Sequence, residues 1–576
     1  MTETVDAVDI AVIRGYLESA ANEMELTLCK TAEGTMINQA LDATAAIFDR
    51  EGNTIAQAEA LPCHLGMLVD AVASIISTFP ADEATPGDVY LLNDPYSGGT
   101  HLPDFAVVEP VFADGKVITY TATMAHHTDI GGTAPGSTAP TAMDIHAEGI
   151  RFPPLKIVEA GVLDAKLMLL FQYNSRNGSA LCGDIEAQIA ACHVGRRRME
   201  EAYARWGATK VTAVADELMN IAERITREAI RSIPDGSYSF TDYLDDDGIV
   251  DQPIPITVTV TVTGSDIDFD FTGTGAQCAG AINCTPSSSI SGVYFGVRVL
   301  CPESMPSNAG CFRSVTVNLP AGTMVNANYP SPVGARAVTF KRVATAVQGA
   351  LAMAAPDRVG PAGDGQASLL YINGPHGVEP MGLPHCGGFG ARPNKDGLDM
   401  TDTDLANASG IPVEITESRL PVIYDHLRLW TDSGGAGEFR GGLGCHGRLR
   451  WLGDDAIFST RRDRHVFAPW GAGGGDAAPV SRYQVTRANG EVEELPSKGV
   501  HGLGHGDVLE MWTSGGGGLG SPLRREPSRV LQDIVARRVS PDRARDVYGV
   551  VVDDDGVVDE EATRQLRRDL AAAKEA

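Results

Sequence analysis

Basic residues are scarce in this chain: 46 Lys and Arg stand against 75 Asp and Glu, a formal net charge of −29. A surface this acidic repels phosphate backbones, which excludes nucleic acid as an expected partner, and it tolerates a bound cation. No stretch approaches the ~18 consecutive apolar residues of a bilayer span, so no membrane role is expected. The N-terminus, MTETVDAVDI, is acidic and has no apolar core of the kind a secretory signal needs. The expected location is therefore cytoplasmic. No C-x-x-C pair occurs among the ten cysteines. They read as small buried apolar residues in a reducing compartment, and Cys278 and Cys284 are too isolated to make a zinc loop. No G-x-x-x-x-G-K-[ST] phosphate loop occurs: GGAGEFRGGLG and GGGGLG carry no lysine where one is needed. No G-x-S-x-G elbow is present either, so neither a nucleotide site nor a serine hydrolase is expected here.

What is there is globular. With 576 residues and 43% hydrophobic content, the chain is too long for one core and calls for two to four domains. Its 64 glycines sit in loops without a repeat. Apolar positions at helical spacing (Ile10, Ile13, Leu17, Met24, Leu28) predict a helix over 8–30. The run AAIFDREGNTIAQA predicts a hairpin over 45–58, followed by a helix over 65–79 and a short strand at 89–92. Residues 105–125 alternate as two strands about Ala113-Asp114-Gly115, residues 163–204 are largely helical, and a helix over 211–232 ends before Pro234-Asp235-Gly236. PIPITVTVTVTGSDIDFDFTGTG then predicts a hairpin at 253–275, and helices follow at 290–300 and 336–354. From about 365 the chain turns Gly-rich and strand-like, and from Ser528 it is helical and charged, with an acidic loop at Val551–Glu561. The fold class expected is α+β: antiparallel sheets with packed helices and a β-rich second half. The domains expected are 1–235, which carries the site, a mixed 236–364, a Gly-rich β domain at 365–526 and a helical segment at 527–576.

The chemistry gathers in residues 91–150. His101 and Asp104 stand in H-x-x-D spacing at a strand entrance, and His126-His127 follow at the end of the strand TYTATMA. Imidazole and carboxylate on rigid elements suit a divalent transition metal. Neighbouring strand side chains point to opposite faces, so only one of the adjacent histidines faces an ion, and the other is left to hold a supporting group. Asp42 precedes the first strand and reads as a turn aspartate or a further ligand. His64 reads as a helix-start residue or a pocket lining. Asp94, before Pro95, is a turn signal and a candidate acid, and Glu148 is a candidate general base.

Several blocks in order resemble one family: LDATAAIFDREGNTIAQAEALPCHLG, NDPYSGGTHLPD, AHHTDIGG, GDIEAQIAA, DFTGTGAQCAGAIN, PSNAGCFRSVTVNLPAGT, DSGGAGEFRGGLG and GGGGLGSPLRREP, with VSPDRARDVYGVVV near the end. The chain resembles the B-type subunit of the hydantoinase/oxoprolinase family, which is also the large subunit of acetone- and acetophenone-type carboxylases. The resemblance implies a divalent metal, Zn or Mn, held by Asp42, His101, Asp104 and His126. Asp94, His127 and Glu148 are the expected catalytic residues. It implies a separate A-type partner with an actin-like ATPase fold that uses ATP to phosphorylate the substrate, in an A2B2 assembly. It implies ring opening of a small cyclic amide, a hydantoin, 5-oxoproline or a lactam. ATP-dependent carboxylation of a ketone is the alternative. One block departs: where family members resemble S-P-N-I-K-E-R-x-D-F-S, this chain reads TMINQALDATA, keeping Asp42 behind an apolar, uncharged wall.

Overall fold

The computed structural model describes residues 5–60, 62–366, 369–374 and 380–575. Residues 1–4, Leu61, Ala576 and positions 367–368 and 375–379 of the Gly-rich stretch lie outside the described residues.

The first helix, α1 (Ala7–Thr31), is capped by Asp6, whose carboxylate accepts the Val8 and Asp9 N–H groups, and it buries Ile13, Leu17, Met24 and Leu28. A helical turn, α2 (Thr35–Asn38), leads into the hairpin β1 (Ala43–Asp49) and β2 (Thr54–Gln57). Then come α3 (His64–Thr78), β3 (Val89–Leu92), β4 (Asp104–Ala113), β5 (Lys116–His126), β6 (Leu155–Glu159) and β7 (Val162–Leu163). These strands form one sheet in the order β2-β1-β5-β4-β3-β6-β7, antiparallel at every pairing. Helices α4 (Ala165–Asn174), α5 (Gly178–Trp206) and α6 (Ala208–Arg231) follow.

Side chains of β1 show the layering. Ala43, Ala45 and Ile47 join one core with α1, α5 and α6, whereas Ala46 and Phe48 join another with Met67, Val72 and Ile75 of α3. Helices thus cover both faces. For that reason burial along β4 and β5 is nearly continuous instead of alternating with solvent, as the sequence pattern of 105–125 suggests.

A second sheet holds β8 (Gly236–Leu244), β9 (Ile254–Thr263), β10 (Asp266–Asp270) and, beyond α7 (Pro286–Leu300), β11 (Val315–Asn318). Ile256, Val258, Val260 and Val262 face inward onto α7 and α8 (Ala337–Ala354). The intervening threonines pair their hydroxyls across β8 and β9, as in Thr241–Thr257 at 2.9 Å. The β10–β11 pair is parallel, which the expectation of antiparallel sheets did not include: the long α7 excursion lets the chain return in the same direction.

Beyond residue 368 two further sheets enclose one core, with Leu370, Ile372 and Phe458 from one and Leu449, Trp451, Leu509 and Met511 from the other. The glycine excess has its explanation here. A Cβ on Gly516 would lie 2.0 Å from the Phe389 carbonyl oxygen, and one on Gly441 would lie 1.8 Å from that of Gly516. Backbone packs directly on backbone, a structural use of glycine that calls for no nucleotide.

Candidate metal centre

Strand register builds the site. Asp104, the first residue of β4, is paired with His126, the last of β5. β1 enters beside them, Ala43 opposite Ala125, and the His126 N–H donates to the Asp42 carbonyl at 3.0 Å. His101 sits one turn before β4, its carbonyl accepting the Asp104 N–H at 3.0 Å.

Three side chains converge. Asp104 Oδ1 is 2.8 Å from His101 Nε2 and 2.9 Å from His126 Nδ1, and the two ring nitrogens are 3.0 Å apart. All are buried. The outer nitrogen of His101, Nδ1, lies 3.0 Å from the Gly334 carbonyl, which can only accept, so that nitrogen carries the proton. Burial first, and the Arg336 guanidinium second, push the His101 imidazolium down to about 3, so the ring is neutral. Its Nε2 lone pair therefore points at a carboxylate oxygen. Two electron-pair donors at 2.8 Å without a proton between them are unfavourable unless a cation joins them. A neutral imidazole with its far N–H on a carbonyl is also the form that ligates a metal. The residues present therefore fit a divalent ion: His101, Asp104 and His126, whose ligand atoms lie within 4.8 Å of one another, would hold it. Against the pull of burial, the Arg336 guanidinium paired with Asp104 holds its carboxyl well below the usual carboxylate range. Arg336 also donates to Thr100 Oγ1 at 3.1 Å.

Asp42 lines the same cavity, but its carboxylate stands beside His64, with Oδ1 3.9 Å from Nε2. Burial raises the Asp42 carboxyl and lowers the His64 imidazolium. His64, the first residue of α3, has no hydrogen-bond partner for its Nδ1 among the described residues.

The other expected residues stand outside the cavity. His127 points to the opposite face of the sheet, where its Nε2 is 3.0 Å from Gln188 Oε1 of α5. Asp94 caps the turn at Pro95–Ser97, accepting the Tyr96 N–H at 3.1 Å and the Ser97 hydroxyl at 2.8 Å. Glu148 lies behind the layer of His101, Asp104 and His126, accepting the N–H groups of Gly334 at 2.7 Å and Val333 at 3.2 Å. It thereby fixes the loop whose carbonyl orients His101. Burial pushes its carboxyl up to about 8, against the two N–H donors, from 4.5 in a free chain. A raised folded value means the native state holds the proton more tightly. This stabilisation is complete below pH 4.5 and is lost as pH rises through 8. Thermal melts between those pH values are expected to show the wild type losing more stability than Glu148→Gln. Parallel pH profiles would count against this account.

Sequence reasoning missed Arg336, Lys341, Tyr371, Asp402 and Arg461. Tyr371 places its hydroxyl 3.0 Å from His126 Nε2, while Lys341 pairs with Asp402 at the cavity wall. The available signal was charge in uncharged surroundings: Lys341-Arg342 interrupt an otherwise uncharged helix, and Arg461 closes the otherwise uncharged strand AIFSTR.

Comparison with known proteins gives the family of the chain. The chain is 35% identical over 591 aligned residues to the caprolactamase subunit beta of Pseudomonas jessenii, covering 98% of this chain and 99% of that one. The crystal structure of the ATP-dependent caprolactamase from Pseudomonas jessenii matches with a TM-score of 0.91 at 34% identity, over 98% of this chain and 100% of that chain. A nucleotide-free acetone carboxylase structure matches with a TM-score of 0.90 at 20% identity, over 99% of this chain and 83% of that chain, a likeness of fold alone. The family model described as hydantoinase B/oxoprolinase matches residues 6–522, and the chain belongs to that family.

Proposed function

We propose that this chain is the metal-holding, B-type subunit of an ATP-dependent hydrolase of cyclic amides. It acts on a substrate that an A-type, actin-like ATPase partner has phosphorylated, in a cytoplasmic A2B2 assembly. The observation that carries the reading is the meeting of His101 Nε2, His126 Nδ1 and Asp104 Oδ1 around one point. The chain's full-length similarity to a subunit named for caprolactam hydrolysis supports the choice of reaction.

An unstrained lactam resists hydrolysis because resonance with nitrogen weakens its carbonyl as an electrophile. Phosphorylation of the lactam oxygen gives an imidate-like carbon that bears a good leaving group. A divalent ion held by His101, Asp104 and His126, Zn or Mn, supplies Lewis acidity there. The protein does the rest. Gly334 and Glu148 keep the His101 lone pair turned inward, and Tyr371 steadies His126. His64, whose imidazolium burial disfavours and whose Nδ1 has no partner among the described residues, accepts a proton from the attacking water, and Asp42 beside it stabilises the imidazolium that forms. Met36, Ala40, Ala337 and Phe340 exclude bulk water from the cavity.

Purification with the partner subunit and assay on ε-caprolactam, hydantoin, 5-oxoproline and acetone tests the reading. ATP hydrolysis that depends on a cyclic amide and needs no bicarbonate is expected. Turnover that requires a ketone and bicarbonate would replace this reading with the carboxylase.

A further inference from the structure

The metal-facing cavity is lined by three cations, Arg336, Lys341 and Arg461, and three carboxylates, Asp42, Asp104 and Asp402. Arg336 pairs with Asp104 and Lys341 with Asp402. Arg461 has no carboxylate partner among the described residues. Its side chain is almost entirely buried at the end of the strand Ala456–Arg461, and its Nε has no hydrogen-bond partner among the described residues. What it has is Tyr371: the guanidinium carbon stands 4.9 Å from the centre of the ring. The Tyr371 hydroxyl in turn reaches His126 Nε2 at 3.0 Å, so Arg461 sits one residue removed from a metal-facing imidazole.

A buried guanidinium without an anion costs free energy, and such a cost persists where a ligand supplies the missing charge. The planar fork of arginine matches tetrahedral oxyanions by two parallel hydrogen bonds, and an aromatic face holds that fork in one orientation. The charges of the wall point the same way. Three cations and three carboxylates cancel, and a divalent ion at His101, Asp104 and His126 leaves two surplus positive charges, which a phosphoryl dianion would neutralise.

We propose that Arg461 is the anion-binding residue of this cavity and takes the phosphoryl group carried on the activated substrate. The proposal rests on the function proposed above for its choice of anion. It makes Arg461 a contact to the leaving group: as the C–O bond to phosphate breaks, negative charge grows on the oxygen that the guanidinium faces, and inorganic phosphate departs with both electrons of that bond.

Inorganic phosphate is the probe. Calorimetric titration of the full chain, with metal content measured on the same samples, is expected to show phosphate binding that Arg461→Met weakens at least tenfold. Arg461→Lys, which keeps the charge, should bind between the two. Without phosphate, Arg461→Met should melt at the same temperature as the wild type or higher, since an uncompensated buried cation has been removed. Four results would overturn the assignment: a wild type that does not bind phosphate, phosphate affinity in Arg461→Met within twofold of the wild type, a fall of several degrees in its melting temperature, or acetate binding more tightly than phosphate. A wild type that binds phosphate through Arg461 yet holds no metal would instead sink the metal reading and leave this one standing.

Discussion

Replacing His101 with alanine is expected to empty the metal site and to cut turnover with the partner subunit by at least about 10^3. A Lewis acid at a polarised oxygen is worth several kcal/mol of transition-state stabilisation, and each ~1.4 kcal/mol is tenfold in rate. The geometry says why no neighbour rescues the loss. Among the described residues His101 supplies one of three converging ligand atoms, and the next carboxylate, Asp42, stands beside His64 instead. The fold should survive, because His101 sits on a turn at the end of the sheet and the strand pairings do not depend on its side chain. Elemental analysis and a thermal melt of the purified variant check both halves. Full metal occupancy with normal turnover would refute the assignment. Asp94→Asn is the contrast: Asp94 caps a turn away from the cavity, so its loss should leave metal content unchanged.

The largest effect on stability is expected from Arg342→Ala. This side chain is completely buried between Asp242 at 3.1 Å and Asp463 at 2.6 Å. Arg464 also reaches Asp242 at 3.2 Å, and Lys498 reaches Asp463 at 3.2 Å. The network ties α8 to the second sheet and to the β-rich part of the chain. Removing one partner of a buried pair leaves a desolvated charge behind, at a cost of ~3–5 kcal/mol. Arg224, 63% exposed and paired with Glu217 at 2.9 Å, is the matched surface case and should cost less than ~0.5 kcal/mol on replacement. Urea denaturation of the two variants measures the difference. A loss below ~1 kcal/mol for Arg342→Ala would mean that the remaining cations compensate both carboxylates.

Much of the secondary structure was legible because it is a local matter. The helical spacing of Ile13, Leu17, Met24 and Leu28 produced α1, and the D-R-E-G-N turn produced the β1–β2 hairpin. Strand alternation also puts His126 and His127 on opposite faces: one faces the cavity and the other faces α5. The spacing of His101 and Asp104 was readable for the same reason, since both lie within one turn of a strand start.

Other roles were hidden. Asp94 and Glu148 are carboxylates in the right stretch of chain, and composition cannot say that one caps a turn and the other holds Val333 and Gly334 from behind. Arg336 lies 232 residues from the Asp104 it pairs with, and Tyr371 lies 245 from His126. No periodicity links such positions.

The amino-acid order by itself determined which segments are helix or strand, that only one histidine of the adjacent pair turns inward, and that glycine would crowd the later loops. Those outcomes follow from side-chain periods and backbone freedom within a few residues. Tertiary structure alone decided which charges meet at the cavity, which carboxylates are diverted to hold backbone, and which cation has no carboxylate beside it among the described residues. A buried charge is settled by whatever distant segment arrives beside it, and only the packing of sheets and helices brings that segment there.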